Sequence, residues 1–339
     1  MAEPIALPDT ARILVIRPDR IGDVVLSTPV LMSLRAAKPN WKIAMLVRPI
    51  VATLLEGHPA IDELLTLDTD DKPSWGNTAA LAETLRPKKF DAALHLYSDF
   101  WVSLAVWRAG VPVRIGPASK LARIFYNSAI PQRRSRGERH EADYNLDLLA
   151  PLGIPPLRES MLPVWPEAIG AAQALLDPAR KNIGVFPGMG GSARNWKPEQ
   201  YARLIDLLDA EGHNVILMGG AADAKIVEAV SASCVTMPKR FAGTNLRELA
   251  AFIAKLDVFT APSTGPLHIA GAVGTPAVGI YCPIRVCLPR RWGPIGKRDA
   301  ALCPNVPPCE ACVKEKCQYW NCMDRLTADD AAAAVKERL

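Results

Sequence analysis

The chain lacks most of what would tie it to a membrane or to nucleic acid. No run approaches the roughly 18–20 apolar residues a membrane-spanning helix needs. The residues up to Asp9 hold no basic stretch followed by an apolar one, as an export signal would. The expected compartment is the cytoplasm, with room for peripheral contact at the inner membrane surface. Aromatic residues are scarce, at 6%. Helix-turn-helix and ribonucleoprotein patterns are both missing, so nucleic acid is not an expected partner. There is no tandem repeat of roughly 20 to 50 residues and no low-complexity tract. Neither a Walker A loop nor a regular G-x-G-x-x-G occurs, which argues against a nicotinamide cofactor.

What is present fits a globular protein. At 339 residues the chain is too long for one ordinary core, so two domains are expected. Hydrophobic residues make up 49% and charged residues 22%. The 30 prolines and 22 glycines are scattered, marking exits from strands into loops. The net charge of +5 is unevenly spread. Arg114, Lys120, Arg123, Arg133, Arg134, Arg136 and Arg139 crowd one stretch whose only acid is Glu138. Such a cluster suits an anionic partner; it also suits a solvated loop.

Short apolar runs alternate with stretches of helical spacing. In the first half the runs are 12–17, 42–48, 63–67, 91–97 and 113–116. In the second they are 182–186, 214–218, 234–237, 257–260 and 277–281. Runs of this kind, bounded by Gly, Pro and Asp, read as buried parallel strands. The fold class expected is α/β, with two Rossmann-like doubly wound parallel sheets facing a central cleft. The proline-rich stretch 151–182 is the expected boundary, giving domains at 1–165 and 166–323. The Ala-rich end reads as a helix, with acids early and bases late to suit the helix dipole.

Three loops carry the chemistry, and each follows an apolar run. In Arg20-Ile21-Gly22-Asp23-Val24-Val25 a carboxylate sits in a strand-to-helix turn. Asp23 can serve as a general base or as a helix cap. In Gly188-Met189-Gly190-Gly191-Ser192 the glycines let backbone N–H groups approach an anion, and Arg194 adds a fork of donors for a diphosphate. A tight turn with no ligand has the same composition. Ser263-Thr264-Gly265-Pro266-Leu267-His268 reads as a helix start, with Ser263 or Thr264 as cap and Pro266 in the first turn. Its N–H groups suit an anion, and His268 can donate to a phosphate oxygen or be structural.

Five of the eight cysteines fall within 303–322: Cys303, Cys309, Cys312, Cys317 and Cys322. In a reducing compartment clustered thiols favour a metal over disulfides. Cys309, Cys312, Cys317 and Cys322 are the candidate ligands for a structural Zn or Fe; free thiols or a redox disulfide are the alternative. Cys234, Cys282 and Cys287 read as ordinary core or loop residues.

Together these stretches resemble glycosyltransferase family 9, the bacterial heptosyltransferases. The resemblance runs over nearly the whole chain. It is carried by Ile13-Leu14-Val15-Ile16-Arg17, by Asp19 to Pro29, by Pro187 to Trp196, and by Ser263 to Ala270 with Gly274-Thr275-Pro276. It implies a GT-B-like fold whose final helix, within 324–339, packs back on the first domain. It also implies inverting transfer of a heptose from an ADP-activated donor to the inner core of lipopolysaccharide, with no catalytic metal. By the same resemblance Asp23 is the general base. Gly190, Gly191, Ser192, Arg194, Thr264, Gly265 and His268 then hold the donor phosphates, and Asp223 lies near the adenosine ribose. Arg20, Arg133, Arg134 and Arg136 are the candidate acceptor contacts. Many members carry Asp where this chain has Ser263, a position implicated in holding the donor sugar, so the departure bears on which sugar is moved. Some relatives glycosylate autotransporter proteins, so a protein acceptor is a second reading. A non-catalytic nucleotide- or metal-binding module is a third.

Overall fold

In this computed structural model, residues 3–68, 74–191, 193–243 and 245–339 are described. The chain forms two compact units. One runs to Arg134 and resumes over Glu141–Pro163; the other comprises Ser135–His140 and Val164–Leu339.

The first unit is built on six parallel strands: β1 (Arg12–Ile16), β2 (Lys42–Val47), β3 (Glu63–Thr66), β4 (Ala92–His95), β5 (Val113–Pro117) and β6 (Ser128–Ile130). Their order is β3-β2-β1-β4-β5-β6. The second unit repeats the plan with β7 (Asn182–Val185), β8 (Asn214–Gly219), β9 (Lys239–Ala242), β10 (Val258–Pro262), β11 (Ala277–Ile280) and β12 (Ala300–Leu302). Here the order is β12-β11-β10-β7-β8-β9. Crossover helices cover both faces of such a sheet, so its central strands are apolar throughout. Ile13, Leu14, Val15 and Ile16 of β1 are all fully buried. The expected class, two Rossmann-like doubly wound units of GT-B type, is the class observed.

One device recurs where strands begin. Asp91 donates its N–H to the Arg12 carbonyl and accepts the Arg12 N–H on its carboxylate at 2.7 Å. Asp62 does the same with Ile43, and Asp257 with Asn182, each at 2.8 Å through the side chain. Each carboxylate satisfies a backbone donor that the parallel ladder leaves open at its first rung. This is the physical content of the Asp residues that precede the apolar runs.

Nine of the ten apolar runs coincide with strands. The run 234–237 does not. Cys234 closes the helix Ala224–Ser233, Val235 and Met237 are exposed, and the strand lies further on, at β9. The edge strands β6 and β12 have three residues each and are only partly buried, too little to show as hydrophobic runs. Within the proline-rich boundary stretch the chain forms a 3-10 segment, Pro166–Leu175, kinked at Gly170.

The terminal helix Ala328–Lys336 corrects an expectation. It belongs to the second unit, not the first. Ala328, Ala331 and Val335 are fully buried in one cluster with Tyr201, Leu204, Ile205 and Leu208 of the helix Pro198–Ala210. Small alanines let the two helices approach closely. Ion pairs flank the contact, Arg203 to Asp329 at 3.3 Å and Lys336 to Glu211 at 2.8 Å.

Candidate active site

In each sheet the order in which strands are added reverses beside the first strand, between β1 and β4 and between β7 and β10. Loops leaving the carboxyl ends of these strands flank a crevice where open α/β sheets bind ligands. Asp23 lies just beyond β1, the glycine loop follows β7 and the Ser263 loop follows β10. All three sequence motifs therefore sit at switch points of their own sheets.

In the first unit a short helix, Ile21–Val25, opens with Arg20 at its N-cap. Asp23 is the third residue inside, so it does not cap. Its Oδ1 instead accepts a hydrogen bond from the Arg17 guanidinium, which is buried at the end of β1. The backbone beneath is pinned as well. Ser27 Oγ donates to the Asp23 carbonyl at 2.7 Å, and Asn145 Nδ2 donates to Ser27 Oγ at 3.1 Å. Burial raises the Asp23 carboxyl from 3.8 to about 6; Arg17 opposes the rise, and the carboxylates of Asp19 and Glu141 add to it. A carboxylate tuned in this way accepts a proton more readily than an exposed one. A cavity of about 380 Å³ opens in the same unit, lined by Asp19, Arg20, Arg48, Tyr97, Asp99 and Trp101 among others; Asp23 is not part of its lining. Carboxylates, guanidinium groups and aromatic faces together suit a polyhydroxylated ring. The sequence reading missed Arg48, Tyr97, Asp99 and Trp101. Arg48 and Tyr97 lie just past the carboxyl ends of β2 and β4, and Asp99 and Trp101 at the start of the helix Phe100–Arg108 that follows β4; those positions were the signal available.

The basic stretch divides. Arg133 and Arg136 are exposed, Arg136 lying 3.6 Å from Glu138. Arg134 is not the open cation expected of an acceptor contact. Its Nη1 pairs with buried Glu141 at 2.5 Å, and its Nε donates to Gln132 Oε1 at 2.9 Å. Its guanidinium lies 5.7 Å from the centre of the Tyr144 ring.

In the second unit Asn195 closes the glycine loop. Its Nδ2 donates to the Pro187 carbonyl at 2.8 Å, while its Oδ1 accepts from Tyr201 Oη at 2.6 Å and from the Trp196 N–H at 2.9 Å. Gly188 is required by a close approach, since a Cβ there would lie 2.2 Å from Asp223 Oδ1. Asp223 is thus brought directly against the loop, with its Oδ2 accepting the Gly220 N–H at 3.0 Å. Gly191 has φ of +75°, and nothing lies within 4 Å of a Cβ built on Gly190. Ser192 lies outside the described residues. The Arg194 guanidinium stacks 4.2 Å from the centre of the Trp320 ring and approaches Cys312 Sγ at 3.7 Å.

Ser263 and Thr264 lead into the helix Gly265–Val273 with Pro266 in its first turn. Thr264 is the N-cap residue, but its side chain accepts no hydrogen bond from that turn. Ser263 is half-buried, and its N–H donates to the Ile280 carbonyl at 3.1 Å. His268 is 4% exposed, and its Nδ1 is buried with no hydrogen-bond partner among the described residues. Burial, with His140 adding, lowers its pKa to about 3. The imidazole is therefore neutral near pH 7 and offers an N–H without a charge.

The cysteine segment does not assemble the four-thiolate metal site expected of it. Among the described residues no group of three or more His, Cys, Asp or Glu side chains is placed to hold a metal. The four candidates lie within electrostatic reach of one another without converging on one point. Cys309 bridges to Ile284, Cys312 is exposed near Arg194, and Cys322 is buried in the apolar core. Cys282 and Cys287 are in direct hydrogen-bond contact. A hydrogen bond from Cys287 lowers the Cys282 thiol to about 6. No spacing rule singled out that pair.

Comparison with known proteins agrees with the architecture. The sequence profile of glycosyltransferase family 9 (heptosyltransferase) matches residues 78–322. A Haemophilus influenzae protein carrying a provisional glycosyltransferase name is 34% identical over 318 residues, 86% of this chain and 89% of that one. The lipopolysaccharide core heptosyltransferase OpsX of the same organism is 29% identical, over 79% of this chain and 78% of its own. Among solved structures, a family 9 glycosyltransferase from Veillonella parvula superposes with a TM-score of 0.84, at 23% identity, over 99% of this chain and 98% of its own. The ADP-heptose lipopolysaccharide heptosyltransferase II of Escherichia coli superposes with a TM-score of 0.79, also at 23% identity, covering 96% and 98%. Both structures share the fold. With the profile spanning more than half its length, this chain belongs to glycosyltransferase family 9.

Proposed function

We propose that the protein is an inverting heptosyltransferase that moves a heptose from an ADP-activated donor to the inner core of lipopolysaccharide. The observation that carries the reading is Asp23, held at the mouth of β1 with its carboxyl raised to about 6. It takes the proton of an acceptor hydroxyl as that oxygen attacks the anomeric carbon from the face opposite the leaving group. The C–O bond to ADP breaks as the new glycosidic bond forms, and charge gathers on the departing diphosphate. The N–H groups of the glycine loop, Arg194 and the start of the helix Gly265–Val273 stabilise that charge. His268 supplies a neutral donor there. Asp223, beside Gly188, contacts the nucleoside portion. The cavity lined by Asp19, Arg20 and Tyr97 takes the acceptor sugar.

The test is incubation with ADP-heptose and a panel of truncated core oligosaccharides, read by mass spectrometry, with an autotransporter passenger as the protein arm. Asp23→Ala is expected to cut turnover by roughly 10²- to 10⁴-fold with ADP affinity unchanged. Arg194→Ala is expected to weaken ADP binding about tenfold. Wild-type turnover in Asp23→Ala refutes the base; transfer only to the passenger refutes the lipopolysaccharide acceptor.

A further inference from the structure

Asp23 does not have Arg17 to itself. Arg17 is 3% exposed, and Glu141 is buried with it. Arg17 reaches Glu141 Oε1 through both terminal nitrogens, Nη1 at 3.3 Å and Nη2 at 3.2 Å. Nη2 is the same nitrogen that serves Asp23, and it also lies 3.4 Å from Asp19. Arg134 Nη1 arrives at the same Glu141 oxygen, and both arginines donate to the Leu96 carbonyl, Arg17 at 2.8 Å and Arg134 at 3.2 Å. The groups that bear on Asp23 within this unit are thus Arg17, Asp19, Tyr97 and Glu141, with Arg134 acting through Glu141.

The charges decide what this arrangement does. Two guanidinium groups face three carboxylates, so the cluster is neutral only when one carboxylate carries a proton. Glu141 contacts both arginines. Asp19 contacts Arg17 at the longer distance and is the most solvent-exposed of the three, which favours its ionised form. Asp23 contacts Arg17 closely and is more buried than Asp19. Asp23, the member at the crevice, is therefore the one free to gain and lose that proton. Without Glu141, Arg17 would be shared only with the more distant Asp19, would hold Asp23 more tightly and would make it a poorer base.

We propose that Glu141 is a positioning residue for the proton acceptor: by dividing Arg17 between two carboxylates, it holds the Asp23 side chain in place while leaving it basic. This rests on the reading of Asp23 as the base. Arg134 sets the balance from the other side, because whatever it gives to Glu141 weakens Glu141's hold on Arg17.

Two variants have opposite expected signs. Glu141→Gln returns Arg17 to Asp23 and removes a neighbouring negative charge, so the Asp23 titration midpoint falls by about one pH unit. Arg134→Gln removes a cation and frees Glu141 to take Arg17, so the midpoint rises. Two readouts keep the proposal separate from the reading it rests on. One is carboxyl ¹³C NMR of aspartate-labelled full-length protein, with the Asp23 signal assigned by its loss in Asp23→Asn. The other is the acid limb of kcat/KM against pH. Opposite displacements in both readouts support the proposal. Opposite displacements in the NMR midpoint with an unmoved kinetic limb uphold the charge sharing and refute Asp23 as the base. An NMR midpoint unmoved in both variants, or moved the same way in both, overturns the proposal. Should Glu141→Gln fail to fold, Arg134→Gln alone decides it: a midpoint that falls or stays put is the overturning result.

Discussion

At the scale of single residues, the site costs the fold some stability. The Asp23 carboxyl is raised from 3.8 to about 6, burial being the largest cause. A raised acid binds its proton more tightly in the folded chain than in the unfolded one, so folding is penalised wherever the group must ionise. The penalty is complete above about pH 6, shrinks as pH falls from 6 towards 3.8, and is gone below that range. Asp23→Asn keeps the shape and discards the charge. Its melting temperature is expected to exceed that of the parent at pH 8, by one to several degrees for a gain of about 1 kcal/mol. At pH 3.5 the difference is expected to vanish. A melting series across this range checks it, and a gain that persists undiminished at low pH would place its origin elsewhere.

At the scale of elements, the loop after β7 shows how one side chain shapes a binding turn. Asn195 joins the Pro187 carbonyl to the fully buried Tyr201 hydroxyl. Asn195→Ala removes both bonds and strands that hydroxyl in the core, at a cost of about 1–3 kcal/mol. Adding Tyr201→Phe removes the stranded group. The double variant is therefore expected to regain much of the stability in urea unfolding while ADP binding stays weak, because the loop is still unfastened. Recovery of ADP binding along with stability would mean that Asn195 does not shape the loop. This element was legible in the sequence up to a point. The glycines and Arg194 announced a turn suited to an anion. The Asn195 fastening and the fit of Asp223 against Gly188 did not show, because both depend on partners brought together by folding. The same limit explains Arg134 and Arg48. A basic run says where cations are dense along the chain, but the fold decides which guanidinium groups are buried against carboxylates and which line a cavity.

At the scale of the whole molecule, the alternation of apolar runs and helices was enough to announce two parallel-sheet units, because strands covered on both faces have little choice of composition. The place of the last helix was not announced. An amphipathic alanine-rich helix carries no signal of which sheet it will cover, and here it closes the core of the second unit. That packing is tight, with Ala331 fully buried against the cluster that contains Tyr201 and Leu204. Ala331→Leu forces a larger side chain between two closely approaching helices, at a cost of about 1–3 kcal/mol. Hydrogen exchange is expected to quicken in Pro198–Ala210 and Ala328–Lys336, where the contact is made, and to stay unchanged in β1 to β4, whose side chains form a separate cluster. If protection were lost in β1 to β4 instead, with Pro198–Ala210 unaffected, the helix would have to serve the first unit in solution, and the assignment made here would be reversed.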